Sequence, residues 1–170
     1  MKVSIGQDSH RFDFENKNKK LILGGIIFEE AVPVSANSDG DVVFHAITNA
    51  VSGITCKNIL GEISDKMCKS GITDSKEYLY EALKYLDEKI VHISISIEAK
   101  VPKISPKIEE MRKSIAEVLN IKETQVGITA TTGEGLTAFR KRRRNTGICS
   151  FNYRIEENKW KQCTKKQGLK

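Results

Sequence analysis

The stretch VSIGQDSHRF, residues 3–12, carries an acid and an imidazole two positions apart, Asp8 and His10, in a run that otherwise reads as a β-strand. Alternate residues of a strand point to the same face. The two side chains therefore project side by side. Such a pair is either half of a metal site or a surface pair without chemistry, and the rest of the chain has to decide between them.

Outward from this strand the chain alternates between short extended runs and helical patterns. Residues 2–7 and 20–28 (KLILGGIIF) read as strands separated by a Lys/Asn-rich turn at 15–19. In NSDGDVVFHAITNAVSGI, Ser38 with Asp41 resembles a capping box, and Val42, Val43, Ala46, Ile47, Ala50 and Val51 recur at helical spacing; a helix is expected over 39–51. Asp74 and Glu77 mark a second capping box, opening a helix with Leu79, Leu83 and Leu86. Residues 91–99 (VHISISIEA) alternate as a half-buried strand. Ser105-Pro106 gives an N-cap with proline at the first helical position, ahead of Ile108, Met111, Ile115 and Leu119. Residues 125–132 and 147–155 read as the last two strands. Intermingled strands and helices place the chain in the α/β (α+β) class.

At 170 residues the chain has the length of one domain with a real core. The start, MKVSIGQD, contains no signal-peptide h-region and no apolar run approaches a membrane span. The expectation is a cytoplasmic, bacterial-type protein, with a plastid location left open because a trimmed targeting peptide leaves no trace. Cys56, Cys68, Cys149 and Cys163 form no C-x-x-C pair and read as free thiols. The net charge of +6 is unevenly spread. Residues 140–170 hold 11 Lys/Arg against 2 Asp/Glu, whereas residues 1–139 hold 17 against 20.

Three features carry chemistry. His45 falls two turns into the first expected helix. Taken alone it reads as a core histidine; facing Asp8 and His10 it completes three ligands for a tetrahedral divalent ion with a fourth position open. In ATTGEGLTAF, residues 130–139, a strand ends in threonines and glycine ahead of Glu134. This is either a plain glycine turn or a phosphate cradle whose carboxylate helps hold Mg²⁺. In AKVPKISPKI, residues 99–108, Lys100 and Lys103 precede a helix start, giving either a solvated basic loop or an anion contact. Together the three suggest a phosphorylated substrate between two cations, an arrangement suited to phosphoryl transfer.

The segments GQDSHRF, LILGG, SDGDVVFHAITNA, LGEISDK, GITDS, PKISPKIEEMR and GITATTGEG occur in this order. Over residues 3 to about 151 the chain resembles the 2-C-methyl-D-erythritol 2,4-cyclodiphosphate synthase family of the non-mevalonate isoprenoid pathway. The resemblance implies a homotrimer with each active site between neighbouring subunits. The expected organisation is a single domain over 1–157, a mixed β-sheet of about four main strands with three helices packed on one face, followed by a tail over 158–170 whose polar, basic composition reads as flexible. The implied activity is that of a cyclising phosphorus–oxygen lyase: the 2-phosphate of 4-diphosphocytidyl-2-C-methyl-D-erythritol 2-phosphate attacks the β-phosphorus, giving the cyclodiphosphate and CMP. The resemblance places zinc on Asp8, His10 and His45, and Mg²⁺ or Mn²⁺ on Glu134 with the substrate diphosphate. It gives Thr132 and Asn37 catalytic positions. It assigns Ala99, Lys103, Ile104, Ser105, Ala130 and Thr131 to the cytidine pocket, Glu62 and Ser64 to the erythritol part, and Ser9, Ser38, Phe139 and Arg142 to substrate contacts.

The chain departs from the family pattern in places. Asn37 and Asn49 stand where many members carry His and Asp, which implies weaker electrostatic help to the transition state and altered support of the metal ligands. The segment after Ile63 lacks a Phe-Pro-Asp-rich run. FRKRRRNTGIC holds five consecutive cations, Arg140 to Arg144, where a short glycine-rich turn is usual. That run reads as a solvated turn, an anion or regulatory diphosphate site, or a nucleic-acid contact. Two other functions compete with the synthase. A metal-dependent phosphohydrolase uses the same ligands but leaves the segments around Lys103 and Thr131 unexplained. A nucleic-acid binder working through residues 140–170 lacks interleaved aromatics and leaves Asp8, His10, His45 and Glu134 without a role. No nucleic-acid or membrane partner is expected.

Overall fold

The computed structural model describes residues 3–16, 18–135 and 147–155, the last segment by its backbone alone. Phe139, Arg142, the Arg140–Arg144 run and the 158–170 tail lie outside the described residues. Four strands form one sheet in the order β1-β6-β4-β5: β1 (Ser4–Arg11), β6 (Gly147–Ile155), β4 (His92–Glu98) and β5 (Val126–Thr131). β4 and β5 run parallel, and β6 is antiparallel to both its neighbours. The mixed α/β character agrees with the sequence reading.

Burial alternates along β4 and β5, so Ile93, Ile95, Ile97, Val126 and Ile128 point into the core. Inter-strand pairing puts Gly6 in the row of Ile95 and Ile128, on the same face. Helix α1 (Val42–Thr55) lies on this face against β1, and α4 (Ile108–Leu119) lies against β5. Helix α3 (Ser75–Leu83) packs on α1. The short α2 (Glu62–Lys69) has no buried residue and meets the core only through half-buried Ile63 and Met67. It makes a fourth α-helix among the described residues where three were expected. Its apolar positions are too few to mark a helix by periodicity.

Three further expectations change. The run 20–28 is not one strand. Gly24 and Gly25, both at positive φ, fold it into a hairpin of β2 (Leu21–Leu23) and β3 (Ile26–Phe28), with Leu23 opposite Ile26. Positive φ at both loop residues is what a two-residue hairpin turn requires. The first helix is capped by Asp41, not Ser38, and starts at Val42. Asp41 is fully buried. It accepts N–H groups from Val43 and Phe44 at the helix start and from Gly24 and Gly25 in the hairpin, all at 2.7–3.1 Å. One carboxylate thus fastens the hairpin to the start of α1. Asp74 caps α3 as expected. At Ser105, by contrast, the chain makes a 3₁₀ turn over Ser105–Lys107 without a side-chain cap before α4 begins. Among the described residues no helix is long and apolar enough to cross a membrane.

Candidate metal centre

The approach of α1 to β1 depends on small residues. A Cβ on Gly6 would stand 2.0 Å from the Ala46 carbonyl oxygen and 2.3 Å from the Ala50 nitrogen. Helix and strand backbones are therefore in contact two residues before Asp8. Gly53 repeats the close approach over the Ser4 hydroxyl. Closely spaced backbones bring His45, on the sheet side of α1, down to the side chains of β1.

Asp8, His10 and His45 converge. His45 Nδ1 is 2.9 Å from Asp8 Oδ2, His10 Nε2 is 3.2 Å from the same oxygen, and the two imidazole nitrogens are 3.1 Å apart. His45 is buried; Asp8 and His10 are half-buried. Burial pushes the Asp8 carboxyl up, but the His10 and His45 imidazoles beside it outweigh burial and hold the group well below the usual carboxylate range. Donors about 2.0–2.1 Å from a tetrahedral zinc stand about 3.3–3.4 Å apart. The three atoms are within a few tenths of an ångström of that spacing, and all can offer lone pairs to one point. A borderline cation such as zinc fits two nitrogens and an oxygen so arranged.

The cluster opens into a cavity of about 500 Å³. Ser35, Ala36, Asn37 and Ser38 form one wall; Leu60, Ser64, Asp65, Cys68 and Tyr78 form the other. Lys19 holds the first wall from behind, its Nζ donating to the carbonyls of Ala36 (2.8 Å) and Ser38. Cys68 Sγ reaches the Asn37 carbonyl at 3.5 Å. Burial pushes the Tyr78 phenol up to about 12, so it stays a hydroxyl, donating to the Ile72 carbonyl at 2.8 Å.

Of the residues expected at a site, Asp8, His10, Asn37, Ser38, His45 and Ser64 come together here. Ser9 does not: strand alternation turns it to the opposite face of β1. Glu62 is exposed on α2, paired with Lys66 at 2.6 Å, and does not line the cavity. The wall residues Asp65, Cys68 and Tyr78 were missed, since nothing in their spacing marks them. Asn49 donates from Nδ2 to the Gln7 carbonyl at 2.9 Å, gripping β1 next to Asp8.

The other expected set lies across the sheet. Asp8 pairs with Ser150, Ser150 with Ile97, and Ile97 with Ala130, one row running from edge to edge. Three strand spacings separate Asp8 from Ala130, about 14 Å. At that far edge Ala130, Thr131 and Thr132 are exposed. Thr131 Oγ1 accepts the Gly133 N–H at 3.1 Å, and exposed Glu134 sits at φ +46°. Ala99 N–H donates to the Thr131 carbonyl at 3.0 Å, joining the 99–105 segment to this edge. Lys103 and Ser105 are exposed, whereas Ile104 is a core residue at 4% exposure.

The sequence profile of the YgbB family matches residues 1–152. The 2-C-methyl-D-erythritol 2,4-cyclodiphosphate synthase of Chlamydia caviae is 54% identical over 141 residues, covering 81% of this chain and 80% of the relative. Among solved structures, the bifunctional IspDF of Campylobacter jejuni matches with a TM-score of 0.75 at 29% identity. That match covers 91% of this chain and 42% of the other, so the chain spans less than half of that bifunctional protein. A CDP complex of Plasmodium falciparum IspF matches with a TM-score of 0.72 at 26% identity, covering 92% of this chain and 96% of that one. A profile spanning most of the chain, together with a synthase more than half identical to it, shows that the chain belongs to the YgbB family.

Proposed function

We propose that the chain cyclises 4-diphosphocytidyl-2-C-methyl-D-erythritol 2-phosphate to 2-C-methyl-D-erythritol 2,4-cyclodiphosphate with release of CMP, as a phosphorus–oxygen lyase. The carrying observation is the Asp8/His10/His45 donor set opening into a cavity, in a chain 54% identical to a relative named for this reaction. An oxygen of the 2-phosphate forms a bond to the β-phosphorus, and the bond from that phosphorus to the bridging oxygen breaks. CMP leaves with the bridging oxygen. Asp8, His10 and His45 would hold a divalent cation, which when bound would supply positive charge to a phosphoryl oxygen.

The chain's own groups orient the substrate. Asn37 and Ser38 line the cavity beside the donors, and Ser64 faces them from α2. Thr132 would steady the transferring phosphate, and Glu134 would help hold Mg²⁺ or Mn²⁺ with the diphosphate. The 99–105 segment, with Lys103, and Ala130–Thr131 receive the cytidine. The CDP complex of the Plasmodium relative supports a cytidine diphosphate ligand.

Sheet order supports a site shared between copies. One diphosphate would have to touch both the Asp8/His10/His45 donors and the Thr132–Glu134 segment, and the two lie about 14 Å apart across one sheet, on its opposite edges. The β1 edge of one copy meets the β5 edge of the next. Such head-to-tail contacts close into rings, and a homotrimer is the proposed ring. The synthase unit covers residues 1–157, in a cytoplasmic setting.

The test is phosphorus NMR of the products with Zn²⁺ and Mg²⁺ present, with His45→Ala alongside. Cyclodiphosphate and CMP from the native chain, and neither from the variant, are expected. Inorganic phosphate as the product would overturn the synthase reading in favour of a hydrolase.

A further inference from the structure

Behind His45 stands a pair of residues, Asp39 and Ser75, that fall in the SDGD and GITDS segments but have had no role. His45 Nε2, on the side of the ring away from Asp8, is 2.9 Å from Ser75 Oγ. Ser75 is completely buried at the first position of α3. Its hydroxyl donates to Asp39 Oδ1, and its backbone N–H donates to Asp39 Oδ2 at 3.1 Å. Asp39 is itself fixed: it accepts the Asp41 N–H at 3.0 Å, and its own N–H donates to the Thr73 carbonyl at 2.8 Å. The Ser38 hydroxyl also lies near Nε2, but at 3.5 Å, and it already accepts the Gly40 N–H.

A serine hydroxyl has one proton. With that proton given to the Asp39 carboxylate, Ser75 Oγ faces His45 only as an acceptor. His45 must then carry a proton on Nε2, and for a neutral ring Nδ1 is left bare. Bare Nδ1 faces Asp8 Oδ2 and His10 Nε2, so its lone pair is presented at the point where the three donor atoms converge.

We propose that Ser75, anchored by Asp39, is a positioning residue for the cation site. It fixes the His45 ring and its Nε2–H tautomer, so that Nδ1 is presented as a ligand. This rests on the reading of Asp8, His10 and His45 as a cation site. The positioning arises where the N-terminus of α3 meets the loop that leads into α1, so a residue thirty positions from His45 sets the ligand's chemistry.

The experiment measures Zn²⁺ affinity by chelator competition for the native chain, Ser75→Ala, Ser75→Thr and His10→Ala. It also reads the His45 nitrogen-15 shifts in the metal-free protein, at a pH where the ring is neutral. The native chain should bind Zn²⁺, and His10→Ala should abolish that binding. Ser75→Ala should weaken it about 10- to 100-fold, and Ser75→Thr, which keeps the hydroxyl, should recover most of the loss. The His45 proton should lie on Nε2 in the native chain and move toward Nδ1 in Ser75→Ala, where Asp8 becomes the better acceptor. Zn²⁺ affinity of Ser75→Ala within threefold of native, or a native His45 proton on Nδ1, would overturn the proposal while leaving the cation site standing. Native affinity equal to that of His10→Ala would overturn the site itself.

Discussion

The two edges of the sheet are built differently. At the β1 edge three ligand-type atoms stand within 2.9–3.2 Å of one another, held by backbone contact at Gly6 and by hydrogen bonds behind His45. At the β5 edge Ala130 to Thr132 and Glu134 are exposed, and Gly133 is tied to Thr131 by a short local turn. The first edge is preorganised within one chain. The second offers hydroxyls, backbone and a carboxylate without making them converge. A metal site needs fixed donor geometry to be selective, whereas a nucleotide contact can be completed when a second surface closes on it. The contrast fits the proposal of a site assembled from two copies.

Disturbing the tight edge should have the largest effect. Gly6→Ala drives a methyl into the α1 backbone, so α1 must move away from β1 and carry His45 from Asp8. Overpacking of this kind costs up to about 3 kcal/mol or more, roughly a 6–12 °C fall in melting temperature for a chain of this size. Loss of Zn²⁺ binding should accompany it, measured by metal content of the folded fraction. Gly127→Ala, where φ is not positive and an added Cβ meets nothing closer than 3.6 Å, is the steric control.

An intermediate effect is expected at the base of the same edge, where two carboxylates are shifted in opposite directions. Burial pushes Asp41 up to about 6, against the pull of the N–H groups of Gly25, Gly24 and Phe44. A group raised in the folded state gives its full stability below the unfolded value near 3.8 and loses it as pH rises through about 6. The native chain should therefore lose about 2–3 kcal/mol from this group between pH 4 and 7, a loss missing from the pH profile of Asp41→Asn in denaturant titrations. Asp8 has the opposite sign. Held low by His10 and His45, it stabilises the fold above about pH 4, and that contribution is lost only in stronger acid.

The smallest effect belongs to Asn37, on the cavity wall beside the donors. Asn37→His adds a charge-capable donor near the phosphate. Turnover should rise by about threefold to tenfold, or up to about 1.4 kcal/mol of barrier, with no change in Zn²⁺ affinity.

Much of the tight edge was legible. Asp8 and His10 are two apart on a strand, and His45 falls on the inward face of a strongly periodic helix. Two local periods therefore placed three candidate ligands. What escaped notice depended on non-local contact. Gly24-Gly25 sits inside a continuous apolar run, so the hairpin is visible only once both glycines are seen at positive φ and tied to Asp41. Ser38 has the spacing of a cap, but Asp41 wins because its carboxylate serves hairpin and helix together. Ser75 lies thirty residues from the imidazole it supports. Helix α2 carries too few apolar residues to announce itself, although Ser64, Asp65 and Cys68 on it form a wall of the cavity. Strand order was not legible at all, and it alone puts Ala130 at the far edge from Asp8.

The most direct measurement is complementation in mixed oligomers. His45→Ala spoils only the β1 edge and Glu134→Ala only the β5 edge. Each variant alone should be inactive. Unfolded, mixed in equal amounts and refolded together, they should regain about a quarter of native turnover, because a head-to-tail ring pairs an intact β1 edge with an intact β5 edge at one site in four. No recovery in mixed oligomers of confirmed composition would place both halves of the site in one chain and contradict the shared site.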